Sequence, residues 1–86
     1  MTIKQLMHKV VAFCNNFIDN NHILVEIDKY PSGAINADIS VWEVDNNNRI
    51  ESCKGRVAKY IHNENDFHNF IDKTTNELPE LLEQVK

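Results

Sequence analysis

Several patterns that mark common functional sites are missing from this 86-residue sequence. Its two glycines, Gly33 and Gly55, lie too far apart to form a glycine-rich phosphate loop. The four histidines include no HxxxH or HExxH spacing, and Cys14 and Cys53 belong to no CxxC or Cys/His ligand pattern. We therefore expect no metal site, no cofactor and no catalytic residue, and the sequence predicts a protein that is not an enzyme.

An excess of basic residues is missing as well. The net charge is −4 at pH 7, which argues against direct binding to nucleic acid or to an anionic membrane, because either normally requires a positive field. Apolar runs fall far short of the roughly 20 residues that span a bilayer, and the first residues lack the apolar core of a signal peptide. With few cysteines as well, the sequence predicts a single cytoplasmic domain.

Helical patterns occupy both ends of the chain. Thr2 and Gln5 have the spacing of a capping box, and apolar residues then recur at helical intervals, so the first helix is predicted over residues 2–19. Asn63 has the character of a cap for a second helix, whose apolar stripe continues past Pro79. The stripe keeps its phase there, which favours one kinked, continuous helix over two separate helices.

Three segments of alternating apolar and polar residues lie between the helices, over residues 22–29, 34–44 and 49–59. Gly33 and Asn48 are expected in the left-handed positions of two turns. The register predicted for the strands sets these pairs opposite each other: Ile27 and Ala37, Val25 and Ile39, Val41 and Cys53, Ile39 and Gly55, Ala37 and Val57. Gly55 in mid-strand indicates a bulge or the close approach of a helix.

The predicted fold class is therefore α+β. The elements follow the order α-β-β-β-α, with a three-stranded antiparallel meander and two helices packed on one face of the sheet. Both cysteines are predicted on buried faces, where thiols are normally inert. The other sheet face has no helix left to cover it.

Alternation predicts what this uncovered face contains. Glu26 is set opposite Asp38, with Arg56 beyond, followed by a row of Leu24, Ser40 and Lys54 and a row of His22, Trp42 and Ser52. One interpretation is an acidic surface that meets a basic partner, and the other is a solvated face on which Arg56 neutralises Asp38. Trp42 either anchors a contact or lies flat on neighbouring strands. The predicted partner-binding residues are Leu24, Glu26, Asp28, Asp38, Trp42, Val44 and Ile50.

The α-β-β-β-α order resembles the double-stranded-RNA-binding domain. That family has a Gly-Pro-x-His type loop between its first two strands, where this chain has Tyr30-Pro31-Ser32-Gly33. It also begins its second helix with a lysine cluster, where this chain has Asn63-Glu64-Asn65-Asp66. Because acids would repel phosphate, the resemblance carries over no RNA-binding residue.

Size, acidity and element order resemble small phage-encoded inhibitors, among them the anti-CRISPR proteins. The resemblance implies a protein that covers a basic, nucleic-acid-binding surface of a host enzyme. The leading hypothesis is accordingly a non-enzymatic interaction protein that binds a basic protein partner through the uncovered sheet face. The alternatives are a homodimer joined through that face, with its function elsewhere, and an RNA-binding module.

Overall fold

The computed structural model describes residues 1–85, which contain two α-helices and one three-stranded sheet. The elements are α1 (Ile3–Cys14), a 3-10 turn (Asn15–Phe17), β1 (Ile23–Lys29), β2 (Ile35–Val44), β3 (Ile50–Ile61) and α2 (Glu64–Leu82). The strands are antiparallel in the order β1-β2-β3. The predicted α-β-β-β-α meander is therefore confirmed.

The start of α1 is as predicted, but its end is not. Thr2 Oγ1 accepts a hydrogen bond from the Gln5 amide at 3.1 Å, and Gln5 Oε1 accepts one from the Thr2 amide at 2.8 Å. The α-helix ends at Cys14, and the chain continues as a 3-10 turn. Asn16 Nδ2 donates to the Phe13 carbonyl at 2.9 Å. Side-chain bonds of this kind compete with the hydrogen bonds of the helical backbone. The apolar periodicity, which continues to Ile18, does not indicate this competition.

The first hairpin has the predicted geometry. Gly33 adopts a φ of 93°, and its amide donates to the Tyr30 carbonyl at 2.9 Å. The Tyr30 amide donates to the Ala34 carbonyl at 2.9 Å and closes the three-residue loop. The predicted pairing of Val25 with Ile39 follows and is confirmed.

The second turn is also formed as predicted. Asn48 has a φ of 61°, and the Asp45 amide donates to the Arg49 carbonyl at 2.9 Å. The Asp45 carboxylate accepts from the backbone amides of Asn47 and Arg49 and from Arg49 Nε. These bonds, above all the one from the Arg49 amide, hold the pKa of the Asp45 carboxyl below its ordinary value.

β3 contains two bulges that the predicted register lacks. The pairing shifts at the β2 steps 41/42 and 43/44, where β3 has one extra residue each time. Val41 therefore lies opposite Gly55, and the prediction of Cys53 at this place is wrong. Further along, the predicted pairs are displaced by two residues, so that Val57 lies opposite Ile39. Because the two one-residue shifts add up to two, the side chains that follow the second shift point to the faces predicted for them, and Val57 is buried as predicted.

Between the two bulges each side chain of β3 points to the face opposite to the predicted one, since a one-residue shift turns each side chain over. Cys53 pairs with Trp42 and is exposed, so the prediction that it is buried is wrong. Ser52 pairs with Glu43 on the helix side of the sheet and not with Trp42. Cys14 is buried as predicted, and burial raises the pKa of its thiol to about 11.

The core lies between the helices and one face of the sheet. α2 continues through Pro79, as the unbroken stripe predicted. Phe13 packs edge-on against Phe67 and Phe70 of α2, with ring centroids 6.2 and 5.8 Å apart. The buried apolar core consists of Leu6, Val10, Cys14, Ile35, Ala37, Ile39, Val41, Val57, Ile61, Phe67, Phe70 and Leu78.

Gly55 permits the contact between β3 and α2. A Cβ atom built at Gly55 would lie 2.6 Å from Leu81 Cδ2, and the φ of Gly55 is 154°, in a region that L-residues rarely adopt. Both sequence-based readings of this glycine, a bulge and a close helix, are therefore confirmed.

Replacing Gly55 by alanine should consequently destabilise the protein. We expect a decrease in the free energy of unfolding of about 1–3 kcal/mol from backbone strain and displacement of Leu81. Urea denaturation measures this quantity. Lys54→Ala, at the adjacent exposed position, should change it by less than about 0.5 kcal/mol. Equal effects of the two substitutions would contradict the close approach.

Candidate protein-interaction face

The sheet has one face covered by helices and one that is not. The even-numbered side chains of β1 and β2 share the uncovered side, which we call the open face, and Ile50 joins it through its pairing with Val44. The structure brings all the predicted partner-binding residues to this one face: Leu24, Glu26, Asp28, Asp38, Trp42, Val44 and Ile50.

The acidic part of the open face belongs to β1. Glu26 lies opposite Asp38, as predicted, and Asp28 lies opposite Asn36. Glu26 and Asp28 are both exposed, and no cation among residues 1–85 forms a salt bridge with either of them. These two carboxylates are therefore available to a partner.

Asp38 contributes much less accessible charge. Arg56 lies opposite Ser40 and not opposite Asp38, yet Arg56 Nη1 reaches diagonally to Asp38 Oδ2 at 3.2 Å. The Asp38 side chain is 13% exposed, and within the described chain its Oδ1 atom is buried without a hydrogen-bond partner. The contact between Arg56 and Asp38 that the interpretation as a solvated face requires is therefore present.

Trp42 lies against the sheet. Its Nε1 donates to Ser40 Oγ at 2.9 Å, and this oxygen in turn donates to the Leu24 carbonyl at 3.5 Å. Ser40 is 1% exposed, whereas Trp42 is half-buried. His22 Nδ1 lies 3.0 Å from the Trp42 carbonyl and acts as the donor, since a carbonyl oxygen can only accept. The indole therefore shields β1 and β2 and keeps part of its surface for contacts.

Apolar side chains extend the surface around Trp42. Leu24 is 39% exposed and Ile50 is 60% exposed, while Val44 is half-buried. Exposed apolar groups that share one face of a sheet are typical of contact sites. The open face thus combines an apolar end with two accessible carboxylates.

Two tyrosines at the opposite end of the open face were missed by the sequence reasoning. Tyr30 and Tyr60 are both exposed, and their ring centroids lie 6.1 Å apart. The pKa of Tyr30 is raised, chiefly by the neighbouring Tyr60 and to a smaller extent by burial and by Asp28. The predicted third strand ends at residue 59, one position before Tyr60, and Tyr30 lies in the predicted turn although it shares the alternation of Asp28.

Other kinds of site find little support in the described chain. Nowhere in residues 1–85 do three histidine, cysteine or acidic side chains come together as a metal site would require. Neither α1 nor α2 has the length and apolar character needed to cross a membrane. Comparison with protein-family models, with curated proteins and with solved structures found no match to the chain.

The hydrogen bond between Trp42 and Ser40 can be measured by a double-mutant cycle. Trp42→Phe removes the donor and Ser40→Ala the acceptor, so each should lower the free energy of unfolding, and the double variant should lose less than the sum. We expect a coupling of about 1 kcal/mol from urea denaturation, the usual value of a partly buried hydrogen bond. Strict additivity would show that the indole does not depend on Ser40.

Proposed function

We propose that the chain is a small, non-enzymatic interaction module that binds a basic protein partner through its open face. The observation that carries this proposal is that one uncovered side of the sheet holds both exposed apolar side chains, Leu24 and Ile50, and the carboxylates of Glu26 and Asp28, which form no salt bridge within residues 1–85. Scattered apolar residues are normal on protein surfaces, but an apolar cluster beside charge of one sign favours a specific contact.

The two parts of the surface have different roles in this proposal. Glu26 and Asp28 accelerate encounter with a basic surface and disfavour acidic partners. Trp42, with its apolar neighbours, supplies most of the affinity, because buried aromatic side chains dominate many interfaces. Its indole is already oriented by Ser40, so less conformational freedom is lost on binding.

The partner class that fits this surface is a nucleic-acid-binding protein, which has a basic surface by necessity. This partner is what the resemblance to phage-encoded inhibitors of the anti-CRISPR type implies, and the observed element order and the net charge of −4 are compatible with it. We accordingly propose an inhibitor that covers such a surface on a host protein.

Direct RNA binding is disfavoured by the start of α2. Its first turn contains Glu64 and Asp66. A contact from Lys9 Nζ to Glu64 Oε2 at 3.3 Å lowers the pKa of Glu64 and keeps that carboxyl ionised. A negative first turn repels phosphate, so the fold-level likeness to RNA-binding domains does not extend to this surface.

Charge reversal on the open face should abolish partner capture. With the protein as bait in a host-cell lysate, the variant Glu26→Lys/Asp28→Lys should recover at least about tenfold less partner than wild type, as quantified by mass spectrometry. The matched control is Glu77→Lys/Glu80→Lys, which makes the same charge change at exposed positions of α2. The control variant should capture the partner as wild type does.

Two further results bear on the same experiment. Excess duplex DNA or RNA should compete with capture if the partner surface is one that binds nucleic acid. Equal losses in the two charge-reversal variants would indicate a general effect of net charge and would remove the open face from the proposal.

A further inference from the structure

The outer edge of β1 directs backbone groups away from the sheet. The Trp42 amide donates to the His22 carbonyl at 2.7 Å, and the Tyr30 amide donates to the Ala34 carbonyl at 2.9 Å. The even-numbered residues of β1 thus bond to β2, and the odd-numbered residues direct their amides and carbonyls outward. The outward amide of Ile23 donates to the Asn20 carbonyl at 3.1 Å, so the edge available to another strand begins at the Ile23 carbonyl. Among residues 1–85 no strand pairs with this edge.

β1 lacks the bulges that protect the other edge of the sheet. β3 has two bulges, which hinder the addition of another strand, whereas exposed charged residues occur on both edge strands. β1 pairs with β2 over seven residues without a register shift. Its helix-side residues Ile23 and Val25 remain half-buried, so the apolar core reaches this edge incompletely covered.

We propose that a second copy of the chain pairs with the outer edge of β1. The two β1 strands run antiparallel with Val25 opposite Val25 of the second copy, and the two sheets join into one of six strands. The outward amide and carbonyl of Val25 then bond reciprocally with those of the other copy, and the Ile27 amide meets the Ile23 carbonyl. All of these groups point outward in the single chain.

The side chains favour this register. On the open face it sets Leu24 opposite Glu26 of the second copy and His22 opposite Asp28, so that no two carboxylates meet directly. A slip of two residues in one direction places Glu26 opposite Glu26, which is repulsive. A slip of two in the other direction places Ile27 opposite the polar Asn21. A slip of one residue would turn apolar side chains to the wrong face.

α1 provides a second contact across the same two-fold axis. The helix packs against both β1 and β2. Joining two β1 strands at the usual spacing of about 4.8 Å would therefore place the two copies of α1 on the same side of the six-stranded sheet, next to each other across the axis. Val11 is exposed and lies about 160° around α1 from Phe13, the residue that contacts α2. An exposed apolar side chain therefore lies on the side of α1 that is turned away from α2.

The pairing is independent of the partner proposed above, because it uses the strand edge and leaves the open face uncovered. In the dimer two open faces would lie side by side on one continuous sheet. A bivalent surface of this kind binds repeated or symmetric partners more tightly than a single face does.

Oppositely charged substitutions at Leu24 test the register. Leu24→Lys would place a cation opposite Glu26 of the second copy at two symmetric positions, and Leu24→Glu would place an anion there. Sedimentation equilibrium of the purified protein should give a dimer dissociation constant about fivefold lower for Leu24→Lys and about fivefold higher for Leu24→Glu. Binding of a basic partner to the open face should change in the opposite sense, which separates this proposal from the proposed function.

Val25→Pro tests the use of the edge. Proline removes the outward amide of Val25 and leaves the bonds from β1 to β2 intact, so a monomer with a wild-type circular dichroism spectrum is expected. If this variant does not fold, the comparison of Leu24→Lys with Leu24→Glu still tests whether the dimer forms. The proposal is overturned if the wild-type protein stays monomeric at about 1 mM, because its dimerisation free energy would then be weaker than about −4.1 kcal/mol. It is also overturned by a dimer that Val25→Pro leaves intact, or by Leu24 variants that shift dimerisation in the same direction.

Discussion

The structure depends on one constraint, which is that two helices cover one face of a three-stranded sheet. Packing of Val10 and Phe70 against the Ile39 side of β2 supplies the core. No further element of the described chain remains for the other face, which therefore has to be compatible with water. The Trp42 side chain over the buried Ser40, together with Arg56 on Asp38, achieves this. The contacts that stabilise the exposed sheet are also the ones that shape its surface.

This constraint connects the fold to its proposed activity. A sheet covered on both faces would have no flat surface on which apolar side chains and the carboxylates of Glu26 and Asp28 lie side by side. The two edges of the sheet differ as well: β3 is bulged where Gly55 receives Leu81 of α2, whereas β1 pairs with β2 without a register shift. The bulges protect one edge, and the opposite edge keeps the outward backbone groups of Val25 and Ile27.

How far the sequence predicts this arrangement depends on which turn or strand is considered. Gly33 determines a short loop, and the register of β1 against β2 follows from it. The bulges in β3 cannot be recognised from the alternation of apolar and polar residues. Together they shift the pairing by two residues, so most side chains keep their predicted face. Only residues between the bulges, such as Cys53, are misplaced. The predicted site residues do share one face. Side-chain reach decides their exposure, however, and alternation could not show that Arg56 extends diagonally to Asp38 or that Trp42 folds onto Ser40.

Site-specific photo-crosslinking tests most directly whether the open face is the binding surface. A benzophenone side chain at position 50, which is exposed at the apolar end of the open face, is compared with one at position 77, which is exposed on α2. With the captured partner present, illumination should give a covalent adduct from position 50 and none from position 77. An adduct from position 77 alone would place the partner on the helical side and contradict the account.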